Sequence, residues 1–207
     1  MTPARPVVLS ATTPQGLPIT LRPLRRGDRR EFLDLRARNA AWLGRWDPSV
    51  PPGGVPRRDI RRNFGAYARA LAAEARAGRG LSLAIVVDEA LVGLVSANNI
   101  VEGALRSASI GYWVGEEVAG RWIAPTAVAG LADHLMDPKG RALHRIQIEI
   151  IPENEPSLAV VRKLGLRDEG VRRAYLHIGG RWRDHRSFAV VTEEIGPGGL
   201  TARLSHP

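Results

Sequence analysis

IGYWVGEEVAGRWIAPTAVAGL (residues 110–131) passes from a strand-like apolar stretch, through a glycine-bearing turn, into a helical pattern. Val128 and Leu131, continued by Ala132 and Leu135, fall on one face of a helix over Ala124–Met136, and Pro125 sits near its first position. The first amides of such a helix have no partner inside it and lie at the positive end of its dipole, where a pyrophosphate can be held. Any strand–turn–helix with a glycine offers as much, so a purely structural turn reads equally from these residues. There is no GxxxxGK[ST] and no GxGxxG, which excludes a P-loop and weakens a dinucleotide-binding reading.

Toward the C-terminus, Asp137–Arg141 turns the chain into a strand over His144–Ile151. There Ile146, Ile148 and Ile150 share one face while Gln147 and Glu149 share the other. PENEPSLAVVRKLGLRDEG (152–170) follows. Asn154 and Ser157 stand at the entrance of a helix over Pro156–Leu164 that Gly165 stops, either as a plain cap or as hydrogen-bonding groups at a crevice beside a strand end. Val171–Ile178 and Arg181–Val191, joined by Gly179-Gly180, form a closing hairpin, and the tail from Gly196 is loop-like.

Toward the N-terminus, Ala108–Val114 is a strand, and Leu81–Val87 with Leu91–Asn99 is a hairpin about Asp88-Glu89. A helix over Arg57–Ala77 carries Ile60, Phe64, Tyr67 and Leu71 on one face, with Gly78 beyond its end. Val50–Pro56 is a loop, Ala40–Pro48 a short segment with two tryptophans, Arg29–Arg38 a helix, and Leu17–Leu24 the first strand. Residues 1–16 are an extended arm, 17–195 one domain and 196–207 a tail. The order of strands and helices predicts an α/β (α+β) domain built on a mixed sheet with helices on both faces.

The chain has 207 residues, enough to bury a full core. With no cysteine, disulfides, zinc–thiolate sites, iron–sulfur clusters and thiol nucleophiles are excluded. No basic region followed by a long apolar run opens the chain, and no apolar run approaches a membrane span. A soluble cytoplasmic protein is the expectation. The formal net charge is +9, from 30 Lys+Arg against 21 Asp+Glu, and the only lysines are Lys139 and Lys163. Arginine excess follows from a GC-rich coding bias as readily as from anionic partners such as phosphates or rRNA.

The turn GRWIAPTAV and the segment PENEPSLAVVRKLGLRDEG resemble the two cofactor-binding motifs of the GNAT acetyltransferases. LRPLRRGD (21–28), RNAAWLGRWDP (38–48), IGYWVGEEVAG (110–120) and AYLHIGGRWRDHRSFAVV (174–191) resemble the RimJ/RimL branch, which acetylates ribosomal-protein N-termini. The resemblance covers roughly residues 17 to 194, in order. It implies the GNAT fold, a mostly antiparallel sheet with two central splayed parallel strands, here 109–114 and 144–151. It also implies acetyl-CoA as co-substrate between them, with no metal. Pyrophosphate is then expected on the amides of Gly120, Arg121, Trp122, Ile123 and Ala124. Asn154 is expected to hold the pantetheine or a bound water, and a strand amide at Trp113, Val114 or Gly115 to polarise the acetyl carbonyl. The amine attacks directly, in keeping with the absence of cysteine.

Several positions depart from the family pattern. In its Q/R-x-x-G-x-G/A turn, Ala119 and Trp122 replace the first residue and the first glycine. The Trp122 side chain does not by itself block amide donation, provided its φ is negative, and its ring is expected to pack inward. Pro125 removes one donor. Val161 stands where many relatives have a tyrosine acid, so Ser157 is the candidate partner of the leaving thiolate, more by hydrogen bonding than as an acid. Glu149, five residues before Asn154, is the candidate base, with a surface or salt-bridged carboxylate as the alternative. The carboxylate that RimL-type relatives can carry before the tyrosine is here Ala174. Asp184 and His185 point to opposite faces of their strand and are expected to be structural.

Trp42, Trp46, Asn98 and Tyr175 are the candidate acceptor residues, against core packing for the tryptophans and a turn for Asn98 and Asn99. The resulting expectation is transfer of an acetyl group to a protein N-terminal residue such as alanine, in a ribosomal protein with rRNA nearby. A small-amine acetyltransferase acting on an amino acid, polyamine or antibiotic is the first alternative. A non-catalytic, basic, ribosome- or RNA-associated acyl-CoA-binding module is the second. The sequence does not choose between monomer and dimer.

Overall fold

A computed structural model describes residues 6–55 and 60–204. Its frame is one eight-stranded sheet in the order β1-β2-β3-β4-β5-β6-β8-β7. The strands are β1 (Leu9–Thr12), β2 (Pro18–Arg22), β3 (Leu81–Val87), β4 (Ala90–Val101), β5 (Ser107–Val114), β6 (Arg145–Ile150), β7 (Arg167–Ile178) and β8 (Arg181–Val191). Neighbours run antiparallel except β5 and β6. The β3–β4 turn places Asp88 at φ 47° and Glu89 at φ 67°. Two successive positive φ values give a two-residue turn whose twist matches that of the strands it joins.

The single parallel pair positions everything that follows. β5 and β6 are in register only from Ser107/Arg145 to Ser109/Gln147, after which β5 runs on to Val114 beside β4 and β6 to Ile150 beside β8 without pairing with each other. The two strands part toward their C-terminal ends, as the family resemblance implied.

Helices cover both faces. α1 (Arg29–Arg38) and α3 (Ile60–Arg76) bury Phe32, Leu35, Phe64 and Ala68 against Ala84 and Leu91. The opposite face carries α4 (Ile123–Met136) and α5 (Glu155–Lys163) over Leu83, Ile85, Val95 and the isoleucines of β6. Ala127, Ala129 and Ala132 let α4 approach closely, and Val128, Leu131 and Leu135 are at most 1% exposed. A buried leucine contributes about 1.5–3 kcal/mol. The short α2 (Ala40–Gly44) holds Leu43 inside and carries Trp42.

Three expectations need correction. The arm of residues 1–16 is not all free chain, because Leu9–Thr12 pairs with Pro18–Arg22 and extends the sheet by an edge strand. Its four residues, LSAT, carry too little apolar alternation to signal this alone. The tail is not all loop, since Gly199–Arg203 forms α6 and buries Leu200 and, just beyond it, Leu204. The Asp133 carboxylate of α4 accepts from the amides of Leu200 (2.6 Å) and Thr201 (3.0 Å), a cap supplied from far along the chain. On α3, Ile60 is exposed and Asn63 kinks the first turn, while the predicted start at Arg57 lies outside the described residues. No helix among the described residues is long and apolar enough to cross a membrane.

Candidate active site

The parted ends of β5 and β6 open a cleft of about 820 Å³, walled by α4, α5, the loop after α2 and β7. Strand alternation decides which β5 groups face it. Gly115 N–H donates to Val92 O at 2.9 Å, on the β4 side. Arg106 O accepts from His144 N and Arg145 N, on the β6 side. Even-numbered residues of β5 therefore direct backbone N–H and C=O toward β6, and odd-numbered ones toward β4. Beyond Ser109 this turns the Tyr112 and Val114 backbones into the cleft. Of the three amides expected to polarise the carbonyl, those of Trp113, Val114 and Gly115, the parity turns the Val114 amide toward the gap. The Trp113 and Gly115 amides belong to the β4 ladder, and Gly115 does not line the cleft.

At one end of the cleft, α4 begins. The amides of Gly120, Arg121, Trp122, Ile123 and Ala124 find no acceptor among the described residues, whereas Ala119 N donates to Glu116 O and Thr126 N to Trp122 O. A run of unpaired N–H groups at a helix N-terminus is an anion cradle. Arg121 is exposed and contributes its amide outside the cleft proper. The negative φ expected for Trp122 is overturned: its φ is +61°, the left-handed region, and its amide, with no acceptor among the described residues, still stands free to donate. The turn keeps the shape a glycine would give it and holds a tryptophan in that shape, at a cost of about 1–2 kcal/mol. Its ring packs against the main core as expected, and Lys163 Nζ sits 3.8 Å from the ring centroid. Lys163 lines the cleft and brings a cation to the cradle. It sits six residues past Ser157, and only the packing of α5 beside α4 makes it a neighbour.

Asn154 caps α5, its Oδ1 accepting from Ser157 N at 3.2 Å. The cap and ligand readings are compatible, because both side chains also line the cleft. Ser157 O accepts from the Tyr112 hydroxyl at 3.2 Å, a tie from β5 to α5. Burial raises the Tyr112 pKa and keeps that hydroxyl a donor.

Glu149 points away from the isoleucines into the cleft, with its side chain only 9% exposed. Arg172 Nη1 of β7 forms an ion pair with Oε1 at 3.5 Å, so the salt-bridged alternative holds alongside the cleft position, but without hydrogen-bond geometry, and that buried oxygen has no hydrogen-bond partner among the described residues. Desolvation raises the Glu149 pKa, against the pull of Arg172 and Arg145. A buried carboxylate with a raised pKa suits a proton acceptor near neutrality better than an ordinary one.

At the other end, Trp42, Trp46 and Asn98 line the cleft. Trp42 Nε1 donates to Val114 O at 3.2 Å. Arg45 stacks over the rings of Trp46 and Trp42, and Asp47 is paired to Arg36. Pro48 bridges Ile178 and Ser49 N donates to His177 O, which ties the loop after α2 to the hairpin and roofs this end. Trp113 directs its ring to the α1/α3 face, edge-on to Phe32 at 5.7 Å. Tyr175 is a correction: it lies outside the cleft, 37% exposed, against His185 and Arg172. Its neighbour Ala174 has φ 45° within a ladder irregularity, which local alternation does not foresee. Asp184 and His185 do face opposite ways. Asp184 Oδ1 accepts from Ala174 N at 2.8 Å, while His185 lines the cleft, 3% exposed, with burial lowering its pKa. The sequence treated His185 as structural, and its strand parity was the signal for the cleft. Among the described residues no cluster of three His, Asp or Glu side chains gathers where a metal ion could be held.

The profile of the GNAT acetyltransferase domain matches residues 19–167. The probable N-acetyltransferase YjcK of Bacillus subtilis is 29% identical over 180 residues, 87% of this chain and 97% of that protein. The [ribosomal protein uS5]-alanine N-acetyltransferase of Escherichia coli is 28% identical over 111 residues, 54% of this chain and 56% of that enzyme, so the match spans about half of it. Among solved structures, Mycobacterium smegmatis RimJ in complex with CoA-disulfide superposes with a TM-score of 0.86 at 35% identity, covering 99% of this chain and 96% of that one. The ribosomal-protein-S5-alanine acetyltransferase of Vibrio fischeri gives 0.74 at 25% identity, covering 86% and 96%. An amide cradle at a helix start, a cleft between two parted parallel strands and these matches agree: the chain belongs to the GNAT acetyltransferase family and is an acetyl-CoA-dependent N-acetyltransferase.

Proposed function

We propose that this enzyme acetylates the α-amino group of a protein N-terminus, of the ribosomal-protein alanine type, by direct amine attack. The observation that carries the reading is the continuity of one cleft from the unpaired amides at 120–124 to the buried Glu149. Similarity to the S5-alanine acetyltransferase of Vibrio fischeri and to mycobacterial RimJ supports the choice of acceptor. The arginine excess suits a phosphate-rich, cytoplasmic partner such as a ribosome.

Acetyl-CoA supplies an activated thioester. The amides of 120–124, with Lys163 nearby, hold its pyrophosphate. The Tyr112 and Val114 backbones, facing the gap, hold the pantetheine and polarise the acetyl carbonyl, and the Asn154 amide steadies the chain beside them. An α-ammonium of pKa about 8 must lose a proton before it attacks, and Glu149 receives it. The amine nitrogen then bonds the acetyl carbon, the C–S bond breaks, the nitrogen's second proton passes to the departing sulfur to give the CoA thiol, and the Ser157 hydroxyl hydrogen-bonds that sulfur. Trp42, Trp46 and Asn98 frame the acceptor.

Thiol release from acetyl-CoA, measured against a panel of N-terminal peptides and free amines, tests this. Peptides beginning with alanine are expected to turn over fastest. Turnover confined to free amines would establish the small-amine reading instead, and salt-sensitive RNA binding without any turnover the non-catalytic one. Ser157→Ala is expected to lower kcat with the fold intact.

A further inference from the structure

Glu149 of β6 and Ser187 of β8 are register partners in the antiparallel ladder, on the sheet face away from Ile146, Ile148 and Ile150. Side chains so paired have Cβ atoms about 5 Å apart. Ser187 is 4% exposed and the Glu149 side chain 9%. Ser187 Oγ and Glu149 Oε1 are both buried, and neither has a hydrogen-bond partner among the described residues. Two buried polar atoms without a hydrogen bond sit on directly opposed residues, one of them held only by the ion pair to Arg172, and leaving a buried polar atom unbonded costs about 1–3 kcal/mol. They do not bond each other, so whatever serves both must be a small polar molecule with several partners.

The surrounding groups do not fill that role. Gln147, two residues back on the same face, donates to Ser109 Oγ at 3.0 Å. Arg145 is bound to Glu169. His185, two residues before Ser187 on the same face, has Nδ1 on Arg183 O at 3.1 Å. Arg172 reaches Oε1 from β7 at 3.5 Å. The charged or titratable groups facing Glu149 are thus Arg145 on its own strand, Arg172 on β7 and His185 on β8.

We propose that one buried water lies between Ser187 Oγ and Glu149 Oε1, within reach of Arg172, and that Ser187 thereby positions the carboxylate that accepts the amine's proton. The inference rests on the reading of Glu149 as base. The water donates to Oε1, fixes the carboxylate plane with its other oxygen toward the cleft, and favours the ionised form. Ser187 is a positioning residue: it touches neither substrate nor reacting atoms.

The test is the pH profile of kcat/KM with an alanine-initial peptide, for wild type, Glu149→Gln, Ser187→Ala and Ser187→Thr. Glu149→Gln is expected to lose the acid limb together with most of the rate. Ser187→Ala is expected to move that limb up by about one pH unit, because a hydrogen bond to the charged form is lost. The rate then falls about tenfold below the limb and stays near wild type above it. Ser187→Thr, which keeps the hydroxyl, restores the limb. Should the alanine variant not fold, Ser187→Cys keeps the volume and shifts the limb the same way. A limb lost in Glu149→Gln but unmoved in Ser187→Ala, or a rate lowered equally at every pH, overturns the role of Ser187 alone. A wild-type profile in Glu149→Gln overturns the base reading itself, and the inference with it.

Discussion

Trp42 Nε1 donates to the Val114 carbonyl at 3.2 Å, joining α2 to the strand whose backbone faces the cleft. The Val114 amide lies on the same side of β5 as that carbonyl. The indole therefore covers the acceptor oxygen and leaves the donor. Backbone that would otherwise offer both polarities to a ligand is reduced at this residue to an N–H, which suits a developing oxyanion.

Trp42→Phe keeps the ring and removes the donor. The exposed carbonyl then competes for ligand donors, and α2 loses its tether, a loss of about 1 kcal/mol. The KM for the acceptor is expected to rise roughly fivefold, the corresponding factor, with a much smaller change for acetyl-CoA. Steady-state kinetics with an unchanged acceptor KM would contradict this.

Glu149→Gln trades activity for stability. A carboxylate whose folded pKa lies above its unfolded value costs stability at pH values above the folded pKa. That cost disappears as the pH falls below the unfolded one. The glutamine variant is therefore expected to melt higher than wild type at pH 8 and to lose the advantage near pH 4. Thermal melts across this range decide it, and an equal difference at both ends would exclude desolvation of Glu149 as the cause.

Trp122 holds a left-handed φ of +61°. Trp122→Gly and Trp122→Ala lose the same ring contacts with Lys163 and the core, but only glycine releases the backbone strain. The glycine variant is expected to be the more stable of the two by about 1 kcal/mol, the reverse of the usual ranking near a helix. Denaturant midpoints read the order directly, and alanine at or above glycine would show that the turn is unstrained.

Leu200 is 1% exposed in a helix that the sequence did not announce. Leu200→Ala is expected to cost about 2–5 kcal/mol of unfolding free energy. In a domain of this size that lowers the melting temperature by roughly 5–15 °C, while kcat at low temperature stays near wild type. A change within a degree would mean that the tail does not dock.

The regular elements were legible where burial acts on one face. Arg29–Arg38, the turn at Asp88-Glu89 and the alternation of Ile146, Gln147, Ile148, Glu149 and Ile150 all stand where the pattern put them. Leu9–Thr12 was not legible, because an edge strand of four residues is specified by its partner more than by its own period. α6 escaped for a related reason: the carboxylate that caps it belongs to Asp133. Asn154, Ser157, Glu149, Trp42, Trp46 and Asn98 line one cleft, while Tyr175 and Gly115 lie outside it. Tyr175 fails because Ala174 breaks the alternation of β7, and Gly115 because its amide is part of the β4 ladder.

By itself the sequence determined the order of elements, the absence of thiol chemistry and the family, since periodicity, composition and motif spacing are properties of neighbouring residues along a chain. Only the tertiary structure decided that β5 and β6 part after Ser109, that the Tyr112 and Val114 backbones face the gap, and that Lys163 stands over Trp122. It also decided that Glu149 is a desolvated carboxylate opposite Ser187, ion-paired to Arg172, and not a surface charge. Hydrogen-bond direction and desolvation depend on what lies across a strand or cleft, and that partner comes from a distant part of the chain.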